Sequence, residues 1–288
     1  MTAERLLVVV GPTASGKTEL ALEWCAENDG EIVSADSVQI YRRFDIGSGK
    51  PSPQERARVP HHLIDIADPS ERLDAARFAA LADQAIADVR QRGKRPVVCG
   101  GTFLWIKALL FGLSGAPPAD EAVRARHRAL EERLGAAALH AELAAVDPKS
   151  ASRLSPNDVL RVSRALEVFE LSGKSQTDWH AEHGFRAPRY EHELIGVRRS
   201  PEELDRRIAA RARAMFDAGW LDEVQTLLTA GFGDSRPMLS VGYRQLRDAW
   251  LSGEPIDLDA LLETVIRATR IFARRQRTWL RDQPVSWR

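Results

Sequence analysis

Cysteine is scarce: Cys25 and Cys99 are the only two in 288 residues, and they stand in neither C-x-x-C nor zinc-finger spacing. A disulfide framework and a cysteine-ligated metal are thereby disfavoured, and both residues read as reduced, buried and structural. Long hydrophobic runs are missing too. The N-terminal run is five residues, too short for a signal-peptide core, and no stretch approaches the roughly 18 residues that span a bilayer. A cytoplasmic protein without a membrane partner is expected. An excess of either charge is also lacking, since 41 Lys plus Arg balance 41 Asp plus Glu. Net charge therefore argues neither for nor against a polyanionic partner, and only the placement of charge can. No repeat or low-complexity segment is visible. With 44% hydrophobic residues, a chain of this length can bury a substantial core as a soluble globular protein.

The most informative stretch stands near the start. Leu6-Leu7-Val8-Val9-Val10 is a continuous apolar run of the kind that forms a buried parallel strand, and it feeds into Gly11-Pro12-Thr13-Ala14-Ser15-Gly16-Lys17-Thr18. This is G-x-x-x-x-G-K-[ST] between a strand and a helix, the context that gives the pattern its meaning. Backbone N–H groups must curl around phosphate oxygens, which needs glycine where a side chain would block approach. The lysine adds a point charge, and the helix N-terminus adds its positive dipole end. Gly11 to Thr18 is therefore the expected di- or triphosphate site, with the Thr18 hydroxyl available to a Mg2+ ion bridging the phosphates.

Downstream, the pattern predicts a helix from Lys17 to about Asn28 and a strand over Glu31 to Ala35. A helix capped by Asp74 closes at Gly93, and a strand over Pro96 to Cys99 turns through Gly100-Gly101-Thr102 into a helix from Phe103. Val59 to Asp65 suggests a further strand end. The alternation implies an α/β fold, a P-loop NTPase-like parallel sheet. Ligands sit outside the carboxyl ends of such strands, so Asp36 would face the crevice of the phosphate loop. Then the pattern changes at a Gly/Pro-rich boundary, residues 112–118. From Ala119 to about Glu182 the chain reads all-helical, Leu194 to Val197 restores a strand, and Ser200-Pro201-Glu202-Glu203 opens a helix. Everything from there to Arg288 reads helical. The expected organisation is a core of residues 1–115 and 189–288, with a helical C-terminal part, interrupted by an all-helical insertion domain at 116–188.

Arg267, Arg270, Arg274, Arg277 and Arg281 recur at helical spacing on one stripe, with Leu262, Val265, Thr269, Phe272, Gln276 and Trp279 on a different face. Seven arginines against one acid, Asp282, between Thr264 and Arg288 favour a phosphate backbone over an acid-paired solvated face. The same fold would suit a small-molecule kinase using ATP, or a nucleotide-gated RNA-binding protein. A kinase usually carries an aspartate at the end of a separate strand to help hold magnesium. The strand ending at Cys99 runs into Gly100, which leaves only Asp65 as a weak substitute. His61 and His62 are adjacent and would point apart on a strand, so they read as structural rather than as a metal pair.

Together the motifs resemble the tRNA dimethylallyltransferase, or tRNA isopentenyltransferase, family. The resemblance rests on Gly11 to Thr18, Asp36-Ser37-Val38-Gln39-Ile40-Tyr41, Asp45-Ile46-Gly47 with Lys50-Pro51, and Val59 to Asp65. It continues through Gly100-Gly101-Thr102, Asn157-Asp158 with Arg164 to Val168, Val241 to Gln245, and Arg275-Gln276 with Thr278 to Arg281, and so covers essentially the whole chain. Ser48-Gly49 departs from the family's usual threonine-alanine. The resemblance implies that N6 of the adenosine immediately 3′ of a tRNA anticodon attacks the first carbon of dimethylallyl diphosphate, with Mg2+ as cofactor and diphosphate as leaving group. The adenosine would leave its stack and enter a channel in the protein, here expected to be a monomer. Asp36 would serve as general base or amine-orienting acceptor. Thr102 would hydrogen-bond the base or the aspartate, although a plain helix cap fits it as well. Lys17 and, of the pair Arg207 and Arg211, Arg211 would meet the diphosphate. Ser37, Val38 and Gln39 would lie at the base with Asp36 and Thr102. Arg124, Leu160, Arg161, Val162, Ser163 and Arg164 of the insertion, with Tyr243, Arg244, Arg274, Arg277 and Arg281, would touch the tRNA.

Overall fold

The structure, a computed structural model, describes residues 5–288. Its first strand, β1 (Leu6–Val10), is buried at every position, as a continuous apolar run requires. The phosphate-loop sequence leads into α1 (Lys17–Glu27), whose Ala21, Leu22 and Cys25 pack inward. After β2 (Gly30–Ala35) come the short α2 (Pro53–Arg58) and β3 (His61–His62). β3 is only two residues long because Leu63 and Asp65 both adopt positive φ, which no strand can continue. α3 (Ala75–Gln91) begins where the Asp74 carboxylate accepts the Arg77 N–H at 2.8 Å. β4 (Arg95–Gly100) and α4 (Phe103–Phe111) follow.

The residues Phe111–Pro188 form a compact unit of their own, which begins at Phe111 rather than at residue 116 because α4 ends there and Gly112 turns with left-handed φ. It is helical throughout: α5 (Glu121–Leu134), α6 (Ala136–Val146), α7 (Pro148–Arg153), α8 (Val159–Ser172) and α9 (Gln176–His183). Asp120, Asp147 and Ser175 cap α5, α7 and α9 through their side chains. Leu139, Leu143, Ala151, Val162, Ala165 and Leu166 make its core.

The other unit, residues up to Leu110 with Arg189–Arg288, resumes at β5 (His192–Gly196). It continues through α10 (Pro201–Asp217), α11 (Trp220–Thr229), α12 (Tyr243–Leu251) and α13 (Leu258–Arg281). Ser200 caps α10 with Pro201 as its first residue. The sequence reading of an unbroken helical C-terminus is corrected by β6 (Val285–Trp287), which pairs parallel with β5. Pro284 cannot extend α13, and the β-forming Val285 and Trp287 take the free sheet edge. The sheet is six-stranded, ordered β3-β2-β4-β1-β5-β6, with parallel pairing throughout. The loop after β1, Asp36 after β2 and Thr102 after β4 thus emerge side by side at one carboxyl edge, the edge where ligands bind in open parallel sheets.

Candidate active site

The phosphate loop keeps its shape through its own sequence and three side chains from far along the chain. Gly16 sits at φ 97°, and a methyl group on Gly11 would lie 2.6 Å from Ser15 Oγ, so neither position accepts a larger residue without strain. Arg207 Nε donates to the Ala14 carbonyl at 2.8 Å and Arg199 Nε to that of Ser15 at 3.1 Å. Gln276 Oε1 accepts the Thr13 N–H at 2.8 Å. Ser15 Oγ is fully buried and has no partner in the protein, an unfilled hydrogen-bonding capacity within the anion cradle. Lys17 Nζ lies 3.5 Å from the Pro12 carbonyl. Burial lowers its pKa below the ordinary lysine value; Arg211 adds to that, while Cys99 and Asp36 oppose it.

Across the crevice, Asp36 Oδ1 accepts the N–H groups of Val38 at 2.9 Å and Gln39 at 3.2 Å, which fixes the carboxylate in a turn. Thr102 does not cap α4 with its side chain. Its hydroxyl instead accepts the Ser37 N–H at 3.0 Å and donates to Ser37 Oγ at 3.3 Å, tying the end of β4 to the aspartate's loop. Gly100 is required because a Cβ there would collide with the Ala35 carbonyl.

Lys17, Thr18, Asp36, Thr102, Arg211 and Gln276 all line one cavity of 370 Å³. Its remaining walls are largely apolar, including Ile208, Met215, Trp220, Val265 and Phe272. Arg211 lies beside Gly49, whose missing side chain leaves room for the guanidinium. Burial lowers the Arg211 pKa and Asp36 opposes this; a guanidinium nonetheless keeps its charge in a protein. Cys99 also lines the cavity, but burial pushes its thiol up to about 11, so it is no nucleophile at neutral pH. Cys25, likewise free and buried, is pushed up to about 12. Among the described residues no cluster of three His, Cys, Asp or Glu could hold a metal. The donors fit a magnesium ion carried by phosphates instead: Thr18, with its hydroxyl, lines the cavity, and such an ion needs few protein ligands.

Several of the residues expected to contact the tRNA are engaged within the protein, and two, Tyr243 and Val162, are wholly buried. Gln39 lines the cavity with both amide ends engaged: Nε2 donates to the carbonyls of Ser48 at 3.3 Å and Gly49 at 3.1 Å, and Oε1 accepts from Ser34 Oγ at 3.3 Å. Tyr243 is wholly buried and donates to Glu223 Oε1 at 2.5 Å, with burial and then Glu223 raising its pKa far above the ordinary value, so its ring cannot meet a tRNA. Val162 is wholly buried in the core of the helical unit. Arg124 and Arg164 converge on the fully buried Glu167: Arg124 Nε lies 2.9 Å from Oε1 and Arg164 Nη1 2.6 Å from Oε2. Although burial opposes it, the two guanidinium groups hold that carboxyl below the usual range. The Ser163 hydroxyl is engaged by His127 Nδ1 at 2.8 Å. Leu160 and Arg161 of that segment remain exposed. Asp65 is no magnesium ligand, because Lys50 and Arg56 hold it. Arg207 meets the loop's backbone and does not line the cavity, which Arg211 does.

On α13, Arg274, Arg277 and Arg281 are exposed, and among the described residues none has a carboxylate within salt-bridge distance; Arg270 meets Asp205 at 3.5 Å. Arg244 is exposed as well. Trp279 packs as expected, stacked on Phe103 with centroids 4.3 Å apart, whereas Phe272 is 39% exposed at the cavity wall. Sequence reasoning missed three residues. His61 lines the cavity, with Nδ1 held by the Val59 carbonyl at 2.7 Å and a buried, unpartnered Nε2. Glu223 gathers the N–H groups of Asp45, Ile46 and Gly47. Gln276, placed by its spacing on the packing face, carries the signal in the sequence itself: a polar side chain on the buried face of an amphipathic helix needs partners.

A sequence model of the IPP transferase family matches residues 39–283, and one of isopentenyl transferases matches residues 4–67. The chain is 62% identical over 282 residues to a tRNA dimethylallyltransferase of Sorangium cellulosum, covering 98% of this chain and 89% of the relative. It is 48% identical over 287 residues to one of Anaeromyxobacter dehalogenans, covering 98% and 92%. The crystal structure of a full-length tRNA isopentenylpyrophosphate transferase from Bacillus halodurans aligns with TM-score 0.72 at 36% identity, covering 99% and 90%. A structure of a eukaryotic dimethylallyltransferase acting on tRNA aligns with TM-score 0.75 at 25% identity, covering 96% of this chain and 70% of that one.

Proposed function

The chain belongs to the IPP transferase family of tRNA dimethylallyltransferases, and we propose that it transfers a dimethylallyl group from dimethylallyl diphosphate to N6 of the adenosine 3′-adjacent to the anticodon. The N6 lone pair forms the new C–N bond at C1 of the donor. The C1–O bond breaks, diphosphate carries away the electron pair, and the N6 proton passes to Asp36. The observation that supports this reading is the shared cavity, which Asp36, Lys17, Thr18 and Arg211 line together with apolar residues such as Ile208, Met215 and Phe272. Loop N–H groups, Lys17 and Arg211 hold the diphosphate, and their charge counts for most as the leaving group gains its own. Thr18 would hold a magnesium ion, whose charge offsets that of the diphosphate. Thr102 keeps Asp36 in place through Ser37.

The exposed Arg244, Arg274, Arg277 and Arg281, with Leu160 and Arg161 of the helical unit, are the residues we assign to tRNA contact. Every group of the reaction comes from one chain, which supports a monomer. No helix among the described residues is long and apolar enough to cross a membrane, in keeping with a cytoplasmic enzyme. Incubation with labelled dimethylallyl diphosphate and an unmodified anticodon stem-loop tests the reading. Label appears in the RNA if it holds; phosphate moved from ATP to a metabolite, with the RNA untouched, makes the protein a kinase.

A further inference from the structure

Gln276 comes from α13, 263 residues beyond the phosphate loop it touches. Its two amide ends bridge the loops that follow two neighbouring strands. Oε1 accepts the Thr13 N–H at 2.8 Å after β1, and Nε2 donates to the Gly101 carbonyl at 3.1 Å after β4. The side chain is 5% exposed and lines the cavity. Gly101 makes the approach possible, since a Cβ there would lie 2.6 Å from Gln276 Nε2. The next residue, Thr102, holds the Ser37 N–H beside Asp36. A path of hydrogen bonds and chain links therefore runs from the phosphate loop through Gln276, Gly101 and Thr102 to Ser37, the residue that follows Asp36.

We propose that Gln276 is a positioning residue, a strut that sets the separation between the phosphate loop and the Asp36 carboxylate and so aligns the breaking C–O bond with the attacking nitrogen. This rests on the prenyl-transfer reading above. A buried amide satisfied at both ends has one geometry, and its loss removes the bridge between Thr13 and Gly101, leaving the Cys99 Sγ contact to the Lys17 carbonyl at 3.8 Å between the end of β4 and the phosphate loop. Transfer rates are sensitive to such displacements, about 10²-fold for 1 Å.

Gln276→Leu and Gly101→Ala break the same strut from opposite sides. In each variant kcat should fall by about 10²-fold, while the KM for dimethylallyl diphosphate and the stem-loop Kd stay near wild type. The pair should be non-additive, because Gly101→Ala has little left to disturb once Gln276 is gone. Gln276→Glu keeps the acceptor for Thr13 and loses the donor to Gly101, so it should fall between. Circular dichroism and Tm establish that the variants fold. Unchanged kcat in folded variants, kcat and KM lost together, or additive effects would overturn the proposal. If wild-type protein transfers no label, the prenyl-transfer reading itself fails, which is a different result from wild-type transfer matched by Gln276→Leu.

Discussion

Replacing Asp36 by asparagine removes one negative charge and little else. Oδ1 accepts the Val38 and Gln39 N–H groups, and an asparagine carbonyl can accept both, so the turn and the bond from Thr102 to Ser37 persist. What disappears is the proton acceptor and the counter-charge facing Lys17 and Arg211. A positioned base is worth about 10²- to 10⁴-fold. The loss should fall toward the lower half, about 10²- to 10³-fold, because the arginine and lysine then hold the diphosphate unopposed. That corresponds to about 3 to 4 kcal/mol of transition-state stabilisation. Single-turnover transfer of label to an anticodon stem-loop measures it, alongside stem-loop affinity, which should not change. Asp36→Ala adds the loss of two turn hydrogen bonds, about 1 to 3 kcal/mol of local stability. A variant Asp36→Asn that kept more than a tenth of wild-type turnover, or lost RNA affinity in the same proportion as rate, would refute the assignment.

Arg274→Ala with Arg277→Ala should weaken stem-loop binding and reduce the slope of log Kd against log salt by about 1.5; an identical slope would remove the arginines from the phosphate contact. Lys17→Met should abolish donor binding yet raise the Tm of the ligand-free protein. A lysine whose folded pKa is lowered works against the fold wherever the unfolded chain holds it protonated, a cost that fades as pH climbs toward about 10.4. The Tm advantage of the variant should therefore shrink at alkaline pH, and thermal melts across pH check it. Glu167→Ala leaves Arg124 and Arg164 facing an empty buried site and should destabilise the helical unit by about 3 kcal/mol. Since the Glu167 carboxyl is held low, its contribution is complete above about pH 4.3, the unfolded value, and is lost as pH falls through the folded one. Limited proteolysis across pH reads both effects.

What the sequence disclosed was local. The run Leu6–Val10, the glycines at 11 and 16, the caps at Asp74 and Ser200, and Asp36 just past a strand are signals carried within a few residues, and each element stands where its signal lies. What stayed hidden depends on distant partners. Nothing near Arg124 announces that Glu167, 43 positions away, will bury itself between two arginines. Nothing near Tyr243 shows that Glu223 and the 45–47 loop will enclose it. An arginine on a helix face looks the same in sequence whether it meets RNA or a buried carboxylate, and only packing separates Arg161 from Arg164. β6 escaped because three residues carry no periodicity and their partner lies some ninety positions upstream.

These distant partners also explain how a phosphate loop can serve carbon–nitrogen bond formation. The carbonyls of Ala14 and Ser15, turned outward, are taken by Arg207 and Arg199, so the loop's conformation is supported by protein contacts and does not wait for the anion. A cradle built in advance would spend little reorganisation as the diphosphate of the proposed reaction acquires charge, the moment at which Lys17 and Arg211 would gain most. The same two cations would disfavour a protonated amine at N6, and so favour departure of its proton toward Asp36, the one carboxylate among the described residues that line the cavity. In the proposed reaction, leaving-group stabilisation and amine deprotonation would thus be two consequences of a single charge arrangement, in which Lys17, Arg211 and Asp36 line the same cavity.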